Sequence, residues 1–154
     1  MTEQTQDVRG RIVVGVDGSD HSLLALRWAV KQAELTGYDV EAVACWQWPS
    51  SVGGFMSYED FDLSAVTRGA VDAAIATVVG DGHTGVTFSS TVVEGYPARA
   101  LIEAAQGADL LVVGSRGHHA LSGLLLGSVG LHCATHAPCP VLIVRHPDHG
   151  SSPE

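Results

Sequence analysis

The sequence predicts a single α/β domain, a doubly wound five-stranded parallel sheet with helices on both faces. Three observations carry this. Short β-branched runs ending in Gly, Asp or Ser alternate along the chain with stretches whose apolar residues recur every three or four positions. The connections are short, so each strand, helix, strand succession implies a parallel unit with a right-handed crossover. No linker divides the 154 residues, a length at which folding buries about 68–70% of the surface the unfolded chain exposes.

Taken in order, Arg11-Ile12-Val13-Val14-Gly15-Val16-Asp17 is the first predicted strand and breaks into Gly18-Ser19. Ser19 or Asp20 caps the helix that follows, with Leu23, Leu26, Ala29, Val30 and Ala33 as its apolar face and Gly37 near its stop. Val40 to Trp46 is the second strand. Gln47 to Asp60 has no period and reads as a loop over the strand ends. Phe61 to Val79 is a second helix with Leu63, Val66, Ala70, Ala73, Ala74, Thr77 and Val78 on its apolar face, closed by Gly80-Asp81-Gly82. Val86 to Val93 alternates as a third strand. Gly95-Tyr96-Pro97 turns into a short helix from Ala98 to Ala105 that ends near Gly107. The apolar run Ala108 to Val113 is a fourth strand, Ser128 to about His136 a fourth helix stopped by Pro138, and Pro140 to Arg145 the last strand. Residues 1–10 and 147–154 read as loose polar tails around a domain at 11–146.

Composition narrows the function. A formal net charge of -9 argues against DNA, RNA or an acidic membrane surface as partner, since these need a basic face. It does not exclude a small phosphate ligand held by local donors. Cys45, Cys133 and Cys139 are odd in number and unevenly spaced, so they make no disulfide framework. No basic segment leads an apolar core at the N-terminus, and no apolar run approaches the ~20 residues that span a bilayer, so a cytoplasmic protein is expected.

The stretch that carries chemistry follows the fourth strand: Gly114-Ser115-Arg116-Gly117, nine residues, then Gly127-Ser128. Glycines there are expected to open backbone angles closed to other residues and to let a ligand reach main-chain N–H groups. If Ser128 opens a helix, its first N–H groups lack intrahelical partners and suit a phosphate. Each donor to a charged acceptor is worth about 1.5–3 kcal/mol, so three or four hold a nucleotide without lysine. Gly-rich turns that bind nothing are common, but this pattern at the carboxyl end of a strand in an open α/β sheet favours a ligand. There is no Gly-Lys-Ser/Thr and no strand followed by G-x-G-x-x-G, which removes P-loop hydrolases and dinucleotide-binding dehydrogenases.

Asp17, at the end of the first strand, could accept from a ligand hydroxyl, hold a metal ion, or simply cap residues 18–20. His132, Cys133, His136 and Cys139 have a metal-like composition, but Pro138 and Pro140 interrupt them and no metal site is expected. His118 and His119 could approach a phosphate or be plainly exposed. Arg116 is the cation inside the phosphate loop, where it could stabilise developing charge. No nucleophile elbow G-x-S-x-G appears, and no catalytic residue is assigned.

At this point the chain resembles the universal stress protein family over about residues 11–145. The resemblance is carried by Ile12 to Ser19, by Gly95-Tyr96-Pro97 with Ala108 to Gly114, and by Ala137-Pro138-Cys139-Pro140 with Val141 to Val144. In that family G-x2-G-x9-G-[S/T] marks members that bind ATP, and Gly114, Gly117, Gly127 and Ser128 satisfy every position. The resemblance implies strand order 3-2-1-4-5, an adenine nucleotide alpha-hydrolase-like fold, and a homodimer joined through the last strand. It implies ATP as ligand, with Mg2+ as a possible companion. Asp17 would meet the adenosine, Ala44 and Cys45 would present backbone to adenine, Val113 and Gly114 would line base and ribose, and Gly117, Gly127, Ser128 and Val129 would cradle phosphates. Two functions stay open. One is a nucleotide-dependent stress-response module with at most weak ATP hydrolysis, of which cyclic AMP binding is a variant. The other is a dimeric interaction protein without nucleotide dependence.

Overall fold

The computed structural model describes residues 8–48, 61–80, 85–117 and 126–147. Most of the 47–60 loop, His118, His119 and most of the two terminal tails lie outside them. Nine elements follow one another: β1 (Arg11–Gly15), α1 (Asp20–Thr36), β2 (Asp39–Trp46), α2 (Leu63–Val79), β3 (Phe88–Glu94), α3 (Pro97–Ala104), β4 (Leu110–Gly114), α4 (Ser128–His136) and β5 (Val141–Val144). The five strands form one sheet in the order β3-β2-β1-β4-β5, and every pairing is parallel. The fold class is the one the sequence predicts, and the strand order the one the resemblance implies.

Alternation along the strands divides the core in two. Ile12, Val14 and Val16 of the β1 segment pack with Ala42, Ala44, Val112 and Val144 under α1 and α2. Val13 points the other way and packs with Val43, Leu111, Val113, Leu101 and Cys133 under α3 and α4. Both faces are covered, as an all-parallel sheet requires. At the amino ends of the strands, the Arg11 guanidinium donates to Glu41 Oε2 at 2.5 Å, to the Ala104 carbonyl at 2.8 Å and to the Gln106 carbonyl at 2.8 Å. Thr91 Oγ1 donates to the other Glu41 oxygen at 3.0 Å, so a half-buried charge pair ties β1, β2, β3 and the end of α3 together.

The α2 face differs from the expected one. Val71 is buried, with Ala74, Ile75 and Val78 packed beside it, whereas Val66, Ala70, Ala73 and Thr77 are exposed. Small apolar residues surround this helix on all sides, so periodicity does not single out the inner stripe. Strand ends shift by a residue or two: β1 stops at Gly15 because Gly18, at φ 82°, turns the chain away, and β3 begins at Phe88. Among the described residues no helix is long and apolar enough to cross a membrane.

From β1 the chain winds to β2 and β3 on one side, then crosses to β4 and β5 on the other. The carboxyl ends of β1 and β4 therefore flank the point where the winding reverses, where open α/β sheets place their ligands.

Candidate functional site

Two turns meet at that point. After β1, Asp17 Oδ1 accepts from the Ser19 N–H at 2.9 Å and from the Ser19 hydroxyl at 2.5 Å. Ser19 in turn caps α1, accepting from the Ser22 N–H at 3.2 Å. The other oxygen, Oδ2, faces the second turn, since a Cβ added to Gly117 would stand 2.7 Å from it. Asp17 therefore serves the turn with one oxygen and borders the glycine loop with the other.

After β4 the loop is closed on itself. The Ser115 N–H donates to the Val144 carbonyl at 2.9 Å, and the Ser115 carbonyl accepts from the Gly127 N–H at 2.6 Å. This bond returns the chain to where it left, so Gly117 and Gly127 become neighbours despite nine intervening residues: a Cβ on Gly127 would stand 4.0 Å from the Gly117 N–H nitrogen. The sequence reason given for the glycines needs correcting. Gly114, Gly117 and Gly127 do not have positive φ; at Gly114 and Gly117 the lack of a side chain serves close approach. A Cβ on Gly114 would lie 2.9 Å from the His21 backbone, where α1 crosses β4. Gly127, at φ -73° and ψ 168°, is the N-cap of α4 and carries no side-chain cap, leaving the first N–H groups of that helix for another acceptor. Ser128 is exposed beside them.

Other expected site residues contribute differently. Ala44 and Val113 are 4% and 3% exposed and sit on opposite faces of the sheet inside the two core clusters, so only their backbone can meet a ligand. Past Gly15↔Val43, β2 has no β1 partner, and Ala44 and Cys45 continue paired with β3 opposite Val92 and Val93. Cys45 is half-buried, and burial raises its thiol pKa. The Val129 side chain packs on the α3/α4 core, which leaves its N–H. Arg116 is half-buried, and its Cα lies 3.4 Å from the Cβ position of Gly127, forming the floor of the turn. The four residues of metal-like composition do not converge: Cys133 is fully buried, while the exposed His132 and His136 rings stack at 4.5 Å.

Sequence reasoning missed several neighbours. Gly18, at φ 82°, turns the chain with a positive φ, a need signalled by Asp-Gly-Ser after a strand. Gly130 makes room for the side chain of Leu126, which a Cβ there would meet at 2.8 Å. His21 and His146 line a cavity with Gly117, and no local pattern marks them.

Comparison with known proteins agrees with this architecture. The model of the universal stress protein family matches residues 9–145. A universal stress protein of Mycolicibacterium smegmatis is 34% identical over 148 residues, covering 91% of this chain and 49% of its own. One from Thermus aquaticus is 35% identical over 138 residues, covering 87% and 97%. A universal stress protein solved in complex with cAMP is 34% identical, covers 88% of this chain and 95% of its own, and superposes with a TM-score of 0.60. The chain spans about half the length of the first of these curated relatives. With nearly its whole length matched, the chain belongs to the universal stress protein family.

Proposed function

We propose that this chain binds ATP at the meeting of the two turns and acts as a nucleotide-dependent regulatory module, with at most weak hydrolysis. The observation that carries the reading is the closed loop: the Ser115–Gly127 hydrogen bond brings Gly117 beside the uncapped start of α4, within reach of Asp17. The start of α4, which has no side-chain cap, suits phosphates. The N–H groups of Gly117, Ser128 and Val129 would hold them, Asp17 would accept from a ribose hydroxyl, and backbone at Ala44, Cys45 and Val113 would face the base. Mg2+, when present with the nucleotide, would neutralise phosphate charge, and the Asp17 carboxylate is the nearby oxygen donor.

The same proposal has the protein work in the cytoplasm as a homodimer through β5, the outer strand of the sheet, whose open edge offers a row of backbone groups. The molar mass of the purified protein tests this, a dimer being expected. A cyclic AMP reading has one specific support, the 34% identical relative solved with that ligand. Gly117→Ala tests the cradle itself. Its methyl would stand 2.7 Å from an Asp17 carboxylate oxygen and push it aside, so ATP affinity should fall tenfold or more, about 1.4 kcal/mol, while thermal unfolding confirms that the variant folds. Unchanged ATP affinity would contradict the assignment.

A further inference from the structure

We infer, building on the nucleotide reading above, that His21 and His146 form a subsite for the terminal phosphate of the nucleotide on the α1 side of the glycine cradle. A cavity of about 380 Å³ opens there, lined by Gly18, Ser19, Asp20, His21, Gly117 and His146. Gly117 is common to the cradle and the cavity, so a phosphate chain resting on the loop continues into it. Among the described residues lining it there is no apolar side chain, which suits a phosphate and not a purine.

The two imidazoles are 5.2 Å apart between ring centroids and tilted by 60°. His21 Nδ1 is sealed and makes no hydrogen bond. Buried and unpaired, Nδ1 lacks a partner whichever tautomer the ring adopts, so Nε2 is the ring nitrogen left to meet a ligand in the cavity that the residue lines. His146 Nδ1 lies 3.0 Å from the Pro147 carbonyl; a carbonyl only accepts, so Nδ1 carries its proton. For Nε2 to donate as well, the ring binds a phosphate in its doubly protonated form. The charged groups around the pair are Asp20 in the cavity wall, Asp17 and Arg116 in the adjoining turns, and Arg145 before His146. Within the wall one carboxylate stands against two imidazoles. A nucleoside monophosphate or cyclic AMP, with its phosphate on the cradle, has nothing to place here.

The test is the ratio of ATP to AMP affinity in the parent, His21→Ala and His146→Asn, by calorimetry, with cyclic AMP as a control and thermal unfolding to confirm the fold. Each variant should lower the ratio about tenfold, the worth of one charge-assisted donor, while AMP and cyclic AMP affinities stay within about twofold of the parent. An unchanged ratio in both variants, with ATP still bound, would overturn the subsite and leave the cradle standing. A parallel fall for all three ligands would assign the histidines a structural role and overturn it too. A parent that binds no ATP would overturn both readings.

Discussion

Gly127→Asp separates stability from binding, because the structure predicts different outcomes for the two. Gly127 has the extended backbone of an N-cap residue, φ -73° and ψ 168°, which aspartate adopts without strain. Its Cβ would stand 3.4 Å from Arg116 Cα and from the Ser115 carbonyl oxygen, so those neighbours give by a few tenths of an ångström. Against that crowding, aspartate caps helices a few tenths of a kcal/mol better than glycine, and its charge at a helix start adds about 0.3–1 kcal/mol. The net change should stay within about 1 kcal/mol, or about 2–4 °C in Tm for a domain of this size. Binding fares otherwise. The new carboxylate takes the N–H groups that would hold phosphate; losing two charge-assisted donors at about 1.5–3 kcal/mol each amounts to about 3–6 kcal/mol, a loss of at least a hundredfold. Thermal unfolding followed by circular dichroism reads the first effect, and calorimetric titration with ATP the second. ATP binding within threefold of the parent, in a folded variant, would refute the placement of phosphate at α4.

Three further outcomes follow from packing and charge. Gly114→Ala puts a methyl 2.9 Å from the His21 backbone, and since neither strand nor helix can yield cheaply, stability should fall by about 1–3 kcal/mol, seen as a lower Tm. Arg11→Ala leaves Glu41, whose side chain is 17% exposed, without its cation; Tm should drop while ATP affinity is unchanged, because the pair sits at the amino ends of the strands, away from the cleft. Burial pushes the Cys133 thiol from 9.0 up to about 11. The folded state thus favours the neutral thiol. The stability this contributes is complete below pH 9 and lost as pH rises towards 11, so Tm should fall more steeply in that window for the parent than for Cys133→Ala.

The sheet and the glycine loop were legible for definite reasons. Buried parallel strands leave unbroken apolar runs such as Leu110 to Val113, and α1 and α4 are bounded by residues whose chemistry stops helices, Gly37 at φ 75° and the Ala137-Pro138 step. The spacing from Gly117 to Gly127 could be read as a loop with a ligand side, but not why it closes. That depends on the Ser115 carbonyl meeting the Gly127 N–H, a contact no pattern encodes. Of the two properties expected of the glycines, backbone angle and an open approach to the main chain, the first is not used, and what crowds them comes from distant parts of the chain: His21 for Gly114 and Asp17 for Gly117. The inner face of α2 was illegible since Val66, Ala70 and Ala73 are as apolar as the residues that face the sheet. His21 and His146 lie 125 positions apart and meet only because α1 packs across β4 and β5.

The most direct test is a calorimetric titration of nucleotide-stripped protein with ATP, ADP, AMP and cyclic AMP, each with and without magnesium. The account predicts micromolar ATP binding, about -8 kcal/mol, weakening stepwise as phosphates are removed. Tighter binding of cyclic AMP would keep the site and replace the ligand. No heat and no thermal shift with any of the four would contradict the account and leave the glycines as packing geometry alone.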